Sequence, residues 1–369
     1  MTSVSEQAAS PERAKHTGAA DLPPATHVPD HPTLRERSRG WLYAATTTNP
    51  PTGHVDFGAK WIVLTRLAVV PMTLFAGLVA GLLAVRHPDF SWGDIVLALV
   101  GILGAHVANN VMNDLFDTEV GQDTAAYPRA MYAPHPILSG LTTRKQLAAV
   151  ALGVNLVDLA IMIALFVLRG WPVLAFALGG FVLSYAYTAP PLRLKKRGLG
   201  EIDVLVTWGP LMVAGTYFSA TGHLPWQIWL ASIPYALLCT TVLMGKHTDK
   251  TPYDEPLGIR TLPVILGRVR SLALTRGLIA GFYVLLVVGV AARALPWTAL
   301  LAFAAVPTAR KVWGALSEPA PTERPKNFPV WPLWYASICF VHVRLAGALL
   351  VAGIAVAAIV GDHAGLHPF

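Results

Sequence analysis

Asn110, Asp114 and Asp117 stand at i, i+4 and i+7, so on a helix all three fall on one face. Asn109, Asn113, Glu119 and Asp123 surround them. Carboxylates this close repel one another, and at a helix end in a membrane they are costly unless a cation compensates them. The donors in this cluster are oxygen atoms, without His or Cys. That suits a hard cation, and Mg²⁺ typically takes one or two carboxylates, waters and substrate phosphate oxygens. The pattern points to a metal and diphosphate site; the competing reading is a solvated acidic loop that ends a helix.

A second cluster comprises Lys246, His247, Asp249, Lys250, Asp254, Glu255, Arg260 and Thr261. Its mixture suits a phosphate-binding element, with cations meeting phosphate oxygens and carboxylates meeting metal. Pro252 and Pro256 are expected to stop any long helix there. Between the clusters lie Tyr185, Tyr187, Arg193, Lys195, Lys196 and Arg197. The basic run fits anionic lipid headgroups or an anionic substrate, and the two tyrosines could face a developing carbocation. Arg66, inside the first apolar stretch, is a functional candidate because intramembrane charge is expensive.

The elements that position these residues follow from composition. Of 369 residues 54% are hydrophobic and 13% charged, and mean hydropathy is +0.51. Soluble domains carry roughly 25% charge, so a soluble enzyme is excluded. A net charge of +7 suggests nucleic acid only on a soluble basic module, and no nucleic-acid partner is expected. Residues 1–58 lack apolar periodicity and are expected to be a disordered cytosolic tail. From residue 59 to 369 a single all-α, multi-pass transmembrane bundle is expected. Nine crossings fall near 60–84, 93–113, 146–168, 171–189, 202–220, 227–246, 271–292, 295–315 and 334–361. Loops after even-numbered crossings hold most Lys and Arg, including the run Arg193 to Arg197. Loops after odd-numbered ones hold only Arg86, Arg169 and Arg293. This puts the N-terminus and both clusters on the cytoplasmic side, with the cell membrane as the expected location.

The segment Asn113-Asp114-Leu115-Phe116-Asp117 resembles the first signature of the UbiA superfamily of intramembrane prenyltransferases. Gly121-Gln122-Asp123 is similar to the branch that prenylates dihydroxynaphthoate. Pro136 to Gly140, Tyr187 to Pro191, Gly198 to Glu201 and Gly258 to Pro263 extend the resemblance over about residues 60 to 361. It implies Mg²⁺-assisted loss of diphosphate from an isoprenyl diphosphate and attack of an aromatic or quinone-precursor acceptor on the allylic cation. Carried over, Asn110, Asn113, Asp114, Asp117 and Asp123 would hold the first metal and Asp254 the second, with Asp249 as a further candidate ligand. Arg66, Lys195, Arg197, Lys250, Arg260, Tyr185 and Tyr187 are the substrate-binding candidates. Membrane lipid would surround the bundle. One departure stands out: the family's second motif has two Asp four residues apart, whereas Asp249 and Asp254 are five apart and Lys250 takes the expected Asp position. On a regular helix five residues turn about 140° beyond a full turn, so the two would not share a face. Either the helix unwinds before Pro252 or the site is rebuilt around Lys250. A terpene cyclase of the same superfamily is the alternative. A transporter would instead place its acids near mid-membrane.

Overall fold

A chain surrounded by lipid must satisfy its backbone polar groups internally, and helices do so within one segment. The computed structural model describes residues 26–119, 123–326, 328 and 330–361, and it is predominantly helical. Among the described residues, six helical stretches are long and apolar enough to cross a membrane: Leu67–Ala84, Trp92–Thr118, Arg144–Arg169, Trp226–Leu257, Arg268–Ala291 and Trp334–Val360. The other three expected crossings fall on shorter or composite elements. One is α7 (Pro172–Thr188). A second is α8 (Gly200–Val206), a π-helical stretch (Thr207–Ala214) and α9 (Gly215–Thr221). The last is a 3-10 stretch (Trp297–Ala305) followed by α13 (Val306–Ala315). The widened turn accommodates Pro210, which has no N–H to donate.

The expected disordered tail is structured where it is described. Residues 1–25 lie outside the described residues, but α1 (Leu34–Thr47) is a helix closed by a capping box in which Thr33 and Glu36 exchange hydrogen bonds. A short parallel pair, β1 (His27–Val28) with β2 (Thr52–Gly53), ties its two ends together. The local caps supply what apolar periodicity did not reveal.

The first crossing is broken. It starts as α2 (Phe57–Leu64), passes through Arg66 in a left-handed conformation (φ 55°), and resumes as α3 (Pro71–Ala84). After α4 (Trp92–Glu119) come the short α5 (Pro128–Tyr132) and the long α6 (Arg144–Arg169), which starts on a Thr143–Gln146 capping box. The core lies where α3, the π-helical stretch, α9, α10 (Trp226–Asp254) and α14 (Trp334–Val360) meet. Alanine is its commonest residue, as at Ala76, Ala80, Ala214, Ala220 and Ala346, and small side chains let helices approach closely. α11 (Leu262–Leu266) and α12 (Arg268–Ala291) complete the order.

Candidate active site

The break at Arg66 builds one side of the site. It frees the Thr65 carbonyl, which accepts a hydrogen bond from Asn110 Nδ2 (3.1 Å). It also turns the Arg66 guanidinium onto Asp114. Asp114 is fully buried and holds a second cation: Arg129 of α5 donates from Nε and Nη2 to its two oxygens, each at 2.9 Å. His135 Nε2 lies 3.8 Å from Asp114 and 3.1 Å from Asp123, so ligand-type atoms of Asp114, Asp123 and His135 all lie within 4.8 Å of one another. Burial opposes the Asp123 charge, but the His135 hydrogen bond and the Lys195 cation outweigh it and keep the carboxyl below its ordinary range. Gly121 and Gln122 of the first signature lie outside the described residues.

One turn further along α4, Asp117 pairs with Lys195, with Lys196 Nζ at 3.9 Å from its other oxygen. Asn113 Oδ1 accepts from Thr188 Oγ1 and from Lys195 Nζ (3.3 Å). Burial pushes the Lys196 ammonium down to about 8 despite Asp117. Tyr187 is buried, with Lys195 Nζ 5.8 Å from its ring centroid.

The second cluster enters from α10, which runs unbroken through Pro252 to Asp254. Here the expectation that Pro252 stops the helix is corrected. Proline removes one hydrogen bond, while the last turn is held by Ile259 N–H donating to the Asp254 carbonyl (3.0 Å) and by Tyr127 donating from its hydroxyl to Asp254 Oδ1 (2.5 Å). Because the helix stays regular, Asp249 and Asp254 part company. Asp249 accepts from the backbone N–H groups of Tyr335 (3.0 Å) and Ala336 (2.9 Å) at the start of α14. Its assignment as a metal ligand is therefore corrected: both its oxygens satisfy orphan donors of a helix whose Leu333 N-cap offers none. Lys250 is buried, with Nζ 4.4 Å from the Tyr127 ring centroid.

Three other candidates do not join the site. Arg197 is exposed and donates to the Pro191 carbonyl (2.9 Å). The Arg260 side chain is exposed, while its backbone N–H donates to the Lys196 carbonyl (3.1 Å). Tyr185 is 43% exposed and packs edge-on against Phe116. Sequence reasoning missed others. They are Arg129 and His135, which stand in no motif, and Lys246, which the sequence shows only as a member of the second cluster. A buried arginine beside Pro128 has no sequence signal of its own.

Beneath these groups lies a cavity of about 840 Å³. Arg66, Asn110, Asn113, Arg129 and Lys246 line its polar end; Ile102, Ala105, Ile161, Phe176, Trp208 and Leu211 line its apolar body. Leu156 and Leu159 of α6 and Leu178 and Phe181 of α7 form one wall and are about half exposed. Residues 72–338 match the UbiA prenyltransferase family. The chain belongs to that family. Like the family it is a prenyltransferase, an enzyme embedded in a membrane. It is 27% identical over 268 residues to the 2-carboxy-1,4-naphthoquinone phytyltransferase of Synechocystis, covering 72% of this chain and 83% of that protein. It is 25% identical over 254 residues to the 1,4-dihydroxy-2-naphthoate octaprenyltransferase of Bacillus subtilis, covering 66% and 78% respectively. Its fold matches the apo structure of a UbiA homologue from Aeropyrum pernix (TM-score 0.57, 18% identity, 81% of this chain and 99% of that one).

The donor chemistry fits a hard cation. Asp117 Oδ1 and Asp254 Oδ2 are buried carboxylate oxygens with no hydrogen-bond partner among the described residues. Their other oxygens are engaged, which leaves one lone-pair face on each. Such orphans cost about 1–3 kcal/mol each unless something binds them.

Proposed function

We propose that this protein ionises an isoprenyl diphosphate with the help of Mg²⁺ and transfers the prenyl group to an aromatic, quinone-precursor acceptor. One observation carries the reading. Lys246 and Lys250 lie one turn apart on α10; Lys246 lines the polar end of the apolar cavity, Lys250 is buried beside the Tyr127 ring, and among the described residues neither has a carboxylate within 4.0 Å. A buried amine without an ion-pair partner keeps its proton at a cost that an anion would remove, so the pair is a site for an anion. A diphosphate fits, with its apolar tail in the cavity below. The printed activities of the Synechocystis and Bacillus relatives support an aromatic acceptor of naphthoquinone type.

Asp117 and Asp254, through their free oxygens, together with Asn110, Asn113, Asp114 and Asp123, would hold Mg²⁺. When bound, the metal neutralises charge that develops on the departing diphosphate. Lys195, Lys246 and Lys250 meet diphosphate oxygens directly, and fixed cations in a dry site favour the separated charge without reorganisation. Arg66 and Arg129 hold the Asp114 carboxylate in place. Tyr187, its ring buried beside Lys195, offers a π face where the allylic carbon would sit. In the same reading the protein crosses the cell membrane nine times, with its N-terminus and active site on the cytoplasmic side.

The test incubates purified protein with geranylgeranyl diphosphate, Mg²⁺ and 1,4-dihydroxy-2-naphthoate. A prenylated aromatic product that requires the acceptor, and that disappears in EDTA, is expected. A cyclic terpene formed without acceptor would replace transfer by cyclisation. Full turnover in EDTA would remove the metal.

A further inference from the structure

The opposite end of α4 carries a second set of ligand-type side chains. The connection from α3 to α4 holds His87 and Asp89, and the connection from α9 to α10 holds His223. His223 Nε2 lies 3.0 Å and His87 Nδ1 3.9 Å from the same oxygen, Asp89 Oδ2. The two imidazole centroids are 4.6 Å apart, and ligand atoms of the three residues all lie within 4.8 Å of one another. Tetrahedral bonds of roughly 2.0–2.2 Å require donor atoms about 3.3–3.6 Å apart. The two separations to Asp89 bracket that value, and the two imidazole donors lie within 4.8 Å of each other.

The surroundings hold these groups in register. Ser91 N–H donates to the Ala220 carbonyl (2.9 Å), which joins the α3–α4 connection to the last turn of α9. Arg169 donates from Nη2 to the carbonyls of Asp89 (3.3 Å) and Ala220 (3.1 Å). Its charge goes to Asp94, with Nε 2.6 Å from Oδ2, which leaves the Asp89 carboxylate to the imidazoles. Asp89 N–H donates to His87 Nδ1 (3.1 Å), a bond that a metal at this nitrogen would replace. His223 and Asp89 side chains are more than half exposed, so a fourth position is open to water.

We propose that His87, Asp89 and His223 form a zinc-class transition-metal site that staples the α3–α4 connection to the α9–α10 connection. Two imidazoles with one carboxylate select a borderline metal over Mg²⁺. The site is distinct from the carboxylate cluster: Ser91 and Asp114 are separated by a helical run of about 35 Å at 1.5 Å per residue. It fixes the ends of α3, α9 and α10, three of the elements that form the core.

The full-length protein in detergent, stripped with chelator and then held in excess Mg²⁺, is titrated with Zn²⁺ alone while stoichiometry and thermal midpoint are followed. We expect one Zn²⁺ per chain and a raised midpoint. His223→Ala, at an exposed position that the fold tolerates, should weaken binding at least about tenfold and cancel the rise. Asp89→Asn should do the same, whereas Asp123→Asn, whatever its own midpoint, should leave the Zn²⁺ stoichiometry and the Zn²⁺-induced rise unchanged. Zn²⁺ binding that is equal in wild type and His223→Ala, absent from wild type, or lost in Asp123→Asn would overturn the site.

Discussion

At the residue scale the central fact is that the signature carboxylates are already surrounded by cations. Asp114 is fully buried between Arg66 and Arg129, and Asp117 pairs with Lys195. Removing the sole partner of a buried charge costs about 3–5 kcal/mol; Arg129 is the bidentate one of two partners of Asp114, and its loss leaves that buried carboxylate to Arg66 alone. Arg129→Ala should therefore lower the thermal midpoint sharply and abolish turnover. The double variant Arg129→Ala/Asp114→Ala, in which Arg66 loses its carboxylate, should be equally inactive and should lose less stability than the two single losses added together. Additive losses in that double-mutant cycle would show that the two do not act as a pair. Lys250→Asp, which restores the family's usual residue, should reduce turnover by about a hundredfold, because it replaces a diphosphate-facing cation with an anion. A gain in rate would mean that the second motif is merely degraded. None of this pairing could be read from spacing. Asn110, Asp114 and Asp117 declare themselves at i, i+4 and i+7, but Arg129 reaches Asp114 across a connection with no periodicity.

At the element scale, helix continuity decides which residues act. Since α10 stays regular through Pro252, the five-residue step separates Asp249 from Asp254 by the angle that helical geometry demands. Asp254 stays with Tyr127 at the site, and Asp249 caps α14. Asp249→Ala should cost about 1 kcal/mol, read as a lower thermal midpoint, while kcat is retained; Asp254→Ala should lose turnover. Gly245 makes the same junction possible. A Cβ there would lie 2.7 Å from the Ala336 nitrogen and the Tyr335 carbonyl carbon, so Gly245→Ala must push α10 and α14 apart. That overpacking should cost about 1–3 kcal/mol, visible as a reduced midpoint in detergent. Long apolar helices were legible because a bilayer imposes their length. The break at Arg66 and the π-helical stretch were not, since each is set by neighbours: Asn110 satisfies the carbonyl freed at Thr65.

At the scale of the whole molecule, a cation-rich rim sits over an apolar chamber, and in the proposed reaction the chamber's depth would limit the donor. Ala105 lines its apolar body. Ala105→Phe should reduce kcat/KM for geranylgeranyl diphosphate about tenfold more than for dimethylallyl diphosphate, a difference of roughly 1.4 kcal/mol between the two transition states. Equal losses would place the tail elsewhere. The chamber's existence could be inferred from the resemblance, but its shape depends on which of the small residues pack and which leave space.

One of its walls, formed by Leu156, Leu159, Leu178 and Phe181, separates it from the outer surface of α6 and α7, and α6 is mostly unburied. In the proposed reaction, a product too oily to exit by water would leave across this thin wall into the surrounding leaflet. Release would then be partition between two oils, governed by the membrane's fluidity and not by the solvent.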